Sequence, residues 1–353
     1  MDTSRSIETV QLPQWLSGDG PESDVVISTR VRLARNCIDY PFPHRASLLQ
    51  RKHAFETITA ALMGLSQYNN FECVNFADCN ETEQQFLVEE HVVSPDLVSV
   101  TGDRGVIFDT ARAISIIVNE EDHLHIQTIA GGCRPHELWT NIDGLDDDIG
   151  SRIPYAFDNC RGFLTCCPRN AGTGMRISFL MHLPALILTK AIDQVLLGAS
   201  QMGVVTRGFS GDHTSITGSL FQLSNMATMG AAENEFLSGT LKVITHIIES
   251  ERVARQRLLS EARAELLDKI NRAYGILTNA TLLDVDEFMN LTSALRLGIE
   301  CTLFNRMTIP QLNRMTLCIF PAHLQTLYKK NLNSDELRSA RAELVREYFS
   351  SIA

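Results

Sequence analysis

Hydrophobic and polar positions follow two different patterns along this chain, and the change falls near residue 235. Before it, short runs rich in β-branched residues alternate with segments of helical periodicity, and glycine-bearing turns separate them. We predict strands at residues 24–29, 105–108, 114–118, 124–129 and 203–206. We predict helices at residues 48–64, 81–90 and 183–202. This part of the chain is therefore expected to form a mixed unit of strands and helices.

From Glu233 onward the pattern is almost wholly helical. Apolar residues such as Leu241, Ile244 and Ile248 recur at helical spacing among charged residues. Breaks divide this stretch into four or five predicted helices. They lie at Asn279 and at residues 284–286, 308–310 and 331–335. We therefore predict two domains, a catalytic domain at residues 1–235 and a helical C-terminal domain at residues 236–353 that serves dimerisation.

Composition narrows the class of protein. The 353 residues are 44% hydrophobic and 21% charged, which allows a sizeable core and excludes a disordered or fibrous chain. The 31 basic and 42 acidic residues give a net charge of −11, which argues against nucleic acid or an anionic membrane as the main partner. The first residues show no signal peptide, and apolar runs such as 183–188 are too short to span a bilayer.

The cysteines indicate a reducing compartment. Their number, nine, is odd, and they are spread over a long chain without a secretory signal, as in reduced, cytoplasmic proteins. The chain has no C-x-x-C pair, so we predict no structural zinc site and no metal held by protein side chains.

An arginine pair offers the first candidate chemistry. Arg30 and Arg32 are two residues apart, which in a strand puts both guanidinium groups on one face. Paired guanidinium groups suit polyphosphate, because each offers bidentate hydrogen bonds to phosphate oxygens. Taken alone, the pair is equally compatible with a solvated strand face.

An acidic turn follows another predicted strand. Residues 120–122 are Glu-Glu-Asp, and such a cluster could bind a cation, either a metal or a guanidinium. The alternative is an ordinary acidic turn.

Two glycine-bearing loops carry further arginines. Residues 167–176 combine Cys167, a Gly-x-Gly turn and Arg176, and glycine there would allow close backbone approach to a ligand. Residues 207–214 combine Arg207 with Asp212. Each loop alone could be an ordinary turn.

In combination and order, these four segments resemble the ATP:guanido phosphotransferases, the family of arginine and creatine kinases. The motifs are STRVRLAR at 28–35, NEEDH at 119–123, CP-x-N-x-GTG-x-R at 167–176 and RG-x-x-G-[DE] at 207–212. The resemblance implies an α+β fold. Its catalytic domain would be an antiparallel sheet flanked by helices, followed by the all-helical C-terminal domain.

Further segments look like the bacterial protein arginine kinases of this family. They include residues 20–26, 87–95, 161–165, 181–189 and 274–279. Small-molecule guanidino kinases carry a helical domain before the STRVR segment, whereas here 27 residues precede Ser28. A protein substrate is therefore expected.

The resemblance implies a role for each matching residue. Glu121 and Asp212 would clamp the substrate guanidinium, one of them as general base, and the Cys167 thiol would lie beside it. ATP and Mg²⁺ are the implied cofactors. The residues expected to bind ATP are Arg30, Arg32, Arg176 and Arg207 at the phosphates, His91 near adenine, and His125.

The chain departs from the family pattern in three places. His125 stands where the family has arginine, and Asp212 where it has glutamate. Near the C-terminus, an Arg-Asp-x-x-Arg-Ala motif forms an allosteric phosphoarginine pocket in the bacterial kinases. Here Leu337 and Arg338 replace its first two residues, and only Arg341 and the following alanine remain. We therefore predict weak or absent feedback; alternatively, Arg341 is a solvated helix residue paired with an acid.

The leading hypothesis is a cytoplasmic, homodimeric protein arginine kinase. By resemblance it would mark proteins for a Clp-type unfoldase and protease, with a zinc-binding activator. One alternative is a regulatory homologue whose catalysis is weakened at His125 and Asp212. Another is a kinase of free arginine or of another small guanidino compound.

Overall fold

The computed structural model describes residues 7–64, 70–208 and 216–352. Its strands are β1 Val26–Arg35, β2 Phe71–Asn75, β3 Gly105–Asp109, β4 Ile114–Val118, β5 Leu124–Gly131, β6 Phe157–Asp158, β7 Gly162–Phe163, β8 Met175–His182, β9 Val204–Gly208 and β10 Leu220–Asn225. Its helices are α1 Leu48–Met63, α2 Glu81–Glu89, α3 Pro95–Ser99, α4 Pro135–Gly150, α5 Pro184–Leu188, α6 Ile192–Gln201, α7 Glu233–Glu261, α8 Arg263–Asn279, α9 Val285–Glu300, α10 Ile309–Cys318, α11 Pro321–Tyr328 and α12 Ser334–Ile352.

Eight strands form one sheet in the order β2-β3-β4-β5-β1-β8-β10-β9, and β6 and β7 form a separate hairpin. Every pairing in the large sheet is antiparallel. Strand β1 lies inside the sheet, paired with β5 on one side and β8 on the other. With its flanking helices and helical C-terminal region, the structure confirms the predicted α+β class.

One face of the sheet is apolar and carries the first core. Val31 and Leu33 of β1 point to this face, where α4 and α7 pack. Arg35 points to the same face, and although it is charged it is only 2% exposed. Its Nη2 lies 2.6 Å from Asp146 Oδ2, and its guanidinium lies 3.5 Å from the ring centroid of Phe163. The last arginine of the STRVRLAR segment is therefore a buried structural residue.

The C-terminal helices enclose a second core. Helices α8 to α12 contribute most of it, and Trp15, Ile129 and Leu220 join it from the part of the chain that carries the sheet. Helices α7 to α12 make six helices in this region rather than the four or five expected, because additional breaks fall at Ala262 and Phe320. The predicted breaks at Asn279, Asp284 and Thr308 coincide with helix ends.

Local signals account for the helices that the pattern predicts well. Helices α1 and α2 begin with capping boxes, Ser47 with Gln50 and Asn80 with Glu83.

The single helix predicted at 183–202 is wrong, because the chain turns at Lys190, which has φ +58°, and forms α5 and α6.

The domain boundary at 235/236 stays a prediction. Helix α7 begins at Glu233, and its buried residues Val243 and Ile247 pack in the first core. Among the described residues, no helix is long and apolar enough to cross a bilayer.

Candidate active site

Four of the predicted phosphate ligands lie on one face of the sheet, opposite the first core. Arg30 and Arg32 alternate with the buried residues of β1, and Arg32 is directly opposite Arg176 of β8. Arg207 of β9 pairs with Gln222 of β10, and Gln222 pairs in turn with Leu180 of β8. Leu180 is four residues after Arg176 in the same strand and therefore lies on the same face. Directly paired residues share a face, so the register brings all four guanidinium groups to the same side.

The arginines form a concentrated positive field. Burial lowers the pKa of Arg30 to about 9, and repulsion from Arg32 and Arg176 adds to the shift. Burial, followed by repulsion from Arg32 and Arg207, lowers the pKa of Arg176 to about 10. Both groups stay charged at neutral pH. Nε of Arg207 is buried and makes no hydrogen bond with any described residue. This face therefore fits a polyanion such as a nucleotide triphosphate.

His91 lies beside this field, one residue past the C-terminal cap of α2. Its backbone has φ +60°, its ring contacts Trp15 edge-on at 5.0 Å, and its carbonyl accepts a hydrogen bond from Gln127 Nε2 at 2.9 Å. Burial and the nearby charge of Arg30 lower the pKa of His91 to about 4, so the ring is neutral at pH 7. A neutral ring next to the arginines is compatible with the predicted place near adenine.

The turn between β4 and β5 contains two buried carboxylates and one exposed carboxylate. Glu120 and Asp122 are buried, with 7% and 0% exposure, whereas Glu121 is exposed. Glu121 Oε2 lies 3.5 Å from Asn170 Nδ2. Burial, Asp122 and Glu120 raise the pKa of Glu121, while His125 and Arg32 act in the opposite direction. Glu121 lines a cleft of about 420 Å³ together with His44 and Cys166. The turn thus presents one carboxylate to an incoming cation.

His125 points to the same face of the sheet as Arg32, but it contacts carboxylates. Its Nδ1 lies 2.6 Å from Glu120 Oε2, and its Nε2 lies 3.4 Å from Asp122 Oδ2. Burial lowers the pKa of His125, but Glu120 and Asp122 more than offset this effect and raise it to about 9. Contact between His125 and ATP stays a prediction, although both ring nitrogens already face protein groups.

One group of side chains has the spacing of a metal site. Single atoms of Glu121, Asp122 and His125 lie within 4.8 Å of one another. A metal needs the lone pair of a neutral imidazole, and His125 is protonated at neutral pH. We assign no metal to this group.

Cys167 lies in the loop before β8. Its carbonyl accepts hydrogen bonds from Thr165 Oγ1 and from the amide of Asn170. Both Cys167 and Glu121 act electrostatically on Arg176, which places the predicted thiol, carboxylate and arginine near one another. Burial and Asp122 raise the pKa of the neighbouring thiol of Cys166.

The glycines of this loop approach protein rather than ligand. A Cβ at Gly172, which has φ +98°, would lie 2.4 Å from the carbonyl oxygen of Thr228. A Cβ at Gly174 would lie 2.5 Å from Nη1 of Arg35 and 2.6 Å from the carbonyl oxygen of Ala34. The close approach at Gly174 holds the loop against β1 and therefore helps to place Arg176 opposite Arg32, whereas the approach at Gly172 holds the loop against the segment that follows β10.

Asp212 and Arg341 are the remaining predicted site residues. Asp212 is outside the described residues, so its role as a second clamp stays a prediction. Arg341 is buried in α12, far along the chain from the site. Its Nε donates to the carbonyl of Ile319 at 2.9 Å and its Nη1 to that of Leu283 at 2.6 Å. This geometry rules out the alternative of a solvated helix residue.

The sequence analysis missed the residues that support the acidic turn. Asp122 Oδ1 accepts hydrogen bonds from Asn36 Nδ2 at 2.6 Å and from the amide of Cys166 at 2.7 Å, and Ser94 donates to Glu120. Asn36 directly follows the STRVRLAR segment, and its polar side chain at the end of an apolar strand was the available signal. Nothing local indicated Ser94.

Comparisons with known proteins cover nearly the whole chain. The model for "ATP:guanido phosphotransferase, C-terminal catalytic domain" matches residues 53–254, and the model for "Protein-arginine kinase McsB C-terminal domain" matches residues 263–353. The chain is 38% identical to the protein-arginine kinase of Moorella thermoacetica over 95% of this chain and 96% of that protein. It is 38% identical to that of Desulforamulus reducens over 98% of each.

Solved structures agree on the fold. A duplicated taurocyamine kinase from Schistosoma mansoni superposes with a TM-score of 0.61 at 24% identity, over 71% of this chain and 36% of that one. A lombricine kinase superposes with a TM-score of 0.58 at 22% identity, over 70% of each chain.

Proposed function

The chain belongs to the ATP:guanido phosphotransferase family, and from this membership we propose that it is a protein arginine kinase, which transfers the γ-phosphoryl group of ATP to arginine side chains of proteins. The observation that carries the proposal is the arrangement of charges. Arg30, Arg32, Arg176 and Arg207 share one face of the sheet, and the exposed carboxylate of Glu121 lies beside Arg176. The four arginines suit the phosphates of ATP, and the carboxylate suits the guanidinium of the substrate.

The acceptor must lose a proton before or during transfer. The pKa of a guanidinium lies far above 7, so its deprotonation at pH 7 costs roughly 9 kcal/mol. Glu121 binds the guanidinium and takes this proton, with Asp212 as the second proposed carboxylate. A bond forms between the guanidino nitrogen and the γ-phosphorus, and the bond from that phosphorus to the β–γ bridging oxygen breaks. ADP leaves with the electron pair of that bond.

The arginines orient the phosphates and stabilise the charge that shifts to the leaving oxygen. Their guanidinium groups fit this task because they share one face, and those of Arg30 and Arg176 stay protonated at neutral pH. Bound Mg²⁺ would neutralise part of the charge of the phosphates. Cys167, near Arg176, is proposed to contact the substrate guanidinium and help orient it.

The experiment that tests this function is ³¹P NMR of the purified chain with Mg-ATP and an arginine-rich unfolded protein, or with free arginine. We expect an acid-labile phosphorus–nitrogen resonance on the protein. A signal mainly on free arginine would instead identify a small-molecule guanidino kinase. No signal in either reaction, with ATP still binding, would favour the catalytically weakened homologue.

We also propose the wider setting that the family implies. The enzyme would act in the cytoplasm as a homodimer, mark its substrates for a Clp-type unfoldase and protease, and respond to a zinc-binding activator. Size-exclusion chromatography with light scattering tests the dimer. A monomer at micromolar concentration would contradict it.

Phosphoarginine feedback should be weak or absent. Leu337 offers no charge to a phosphate, and the guanidinium of Arg341 is already bonded to two backbone carbonyls. We expect added phosphoarginine to leave the initial rate unchanged. The Arg341→Ala variant should instead lose about 1–3 kcal/mol of unfolding free energy in urea, because two buried carbonyls lose their donors. A saturable response of the rate to phosphoarginine would contradict this assignment.

A further inference from the structure

We propose, on the premise of the kinase activity above, that His125 is a positioning residue that holds Glu120 and Asp122 together and thereby fixes the turn that presents Glu121 and the loop that carries Cys167. This role differs from the ATP contact expected at this position. It belongs to histidine in this chain rather than to the arginine of the family pattern.

Three ionisable groups are buried in contact with one another. His125, Glu120 and Asp122 are 3%, 7% and 0% exposed. Two buried carboxylates next to a neutral ring would carry two uncompensated charges, which is costly in a low-dielectric interior. Each ring nitrogen lies within ion-pair distance of one carboxylate, and the positive charge of a protonated ring compensates the charge of the two carboxylates.

The two carboxylates also bind residues of three neighbouring segments. Glu120 accepts a hydrogen bond from Ser94, the residue before α3. Asp122 accepts from Asn36, just after β1, and from the amide of Cys166. One imidazole ring therefore joins three separate segments around the exposed Glu121, and one of them leads directly to Cys167.

The charged groups around the ring define its pH dependence. Glu120 and Asp122 face it from its own hairpin, and Arg32 faces it from β1. Burial and Arg32 favour the neutral ring, but the two carboxylates outweigh them and raise the pKa of His125 from 6.5 to about 9. The stabilisation from this cluster is complete between pH 4.5, the ordinary pKa of a glutamate, and pH 6.5; it declines as pH rises and is lost above about pH 9.

The test combines kinetics with a titration that needs no activity. In the His125→Gln variant we expect kcat at pH 7 to fall about 10²-fold, as for a small misplacement of catalytic groups, with KM for ATP changed less than about two-fold. The alkaline decrease in wild-type kcat, centred near pH 9, should disappear in this variant. The His246→Gln variant, which removes an exposed histidine of α7, should behave as wild type.

The titration uses wild-type protein labelled with ¹⁵N-histidine. We expect one imidazole to titrate near pH 9 and its resonance to be absent from the His125→Gln spectrum. The proposal is overturned if no histidine titrates above pH 8, or if the variant raises KM for ATP about ten-fold with kcat unchanged, the result expected of a phosphate contact. If the titration is found but neither protein nor free arginine is phosphorylated, the kinase assignment fails while the ion-pair cluster stands.

Discussion

Glu121→Gln should lower kcat by about 10³-fold at neutral pH, within the range measured for loss of a general base. Glu121 is the exposed carboxylate of the β4–β5 turn, whereas Glu120 and Asp122 are buried against His125. Glutamine keeps the shape of the side chain but removes the charge that holds the guanidinium and the base that accepts its proton. The measurement is single-turnover phosphorylation of an arginine-rich protein, followed by ³¹P NMR.

The pH dependence of this variant supplies an independent check. Burial and the neighbouring carboxylates raise the pKa of Glu121 above 4.5, so wild-type kcat/KM should fall as pH decreases through that raised value. This acidic decrease should be missing from the residual activity of Glu121→Gln. Glu249→Gln, at an exposed position of α7, serves as the matched control. A loss of less than about ten-fold would mean that another carboxylate, such as Asp212, is the base.

Alternation along the chain was enough to predict strands that have one apolar and one polar face. β1 is the clearest case, because Val31 and Leu33 alternate with Arg30 and Arg32. β8 was missed, since its side chains are buried or half-buried on both faces and its sequence shows no alternation. The division between α5 and α6 was missed because a lysine, Lys190, adopts the left-handed conformation there and no glycine marks the turn.

The candidate site could be predicted where its residues belong to one motif. The spacing of Arg30 and Arg32 predicts a shared face, and the strand register confirms it. The contacts of His125 could not be predicted, because they depend on how the β4–β5 turn folds back over the strand. The Trp15 ring that packs against His91 is 76 positions away in the chain, so only tertiary structure reveals it.

Arg176→Ala should reduce kcat/KM for ATP by about 10³-fold, the lower end of the effect of an arginine that stabilises a transferring phosphoryl group. Arg176 is directly opposite Arg32 and acts electrostatically with Arg207, Cys167 and Glu121, and we propose that the phosphates and the guanidinium meet beside it. Its removal should relieve repulsion within the cluster and so stabilise the free protein slightly. The loss should therefore appear in activity and not in urea unfolding.

The Arg176→Lys variant separates charge from geometry. Lysine restores a positive charge but not the planar fork that binds two phosphate oxygens, so it should recover about ten-fold of the loss and no more. Arg257→Ala, at an exposed arginine of α7 that pairs with Glu261, is the matched control and should retain full activity. Full recovery by lysine would show that Arg176 contributes only to the general positive field. An unchanged KM for ATP together with an unchanged kcat in Arg176→Ala would place the phosphates elsewhere on the sheet, and the proposed active site would then be wrong.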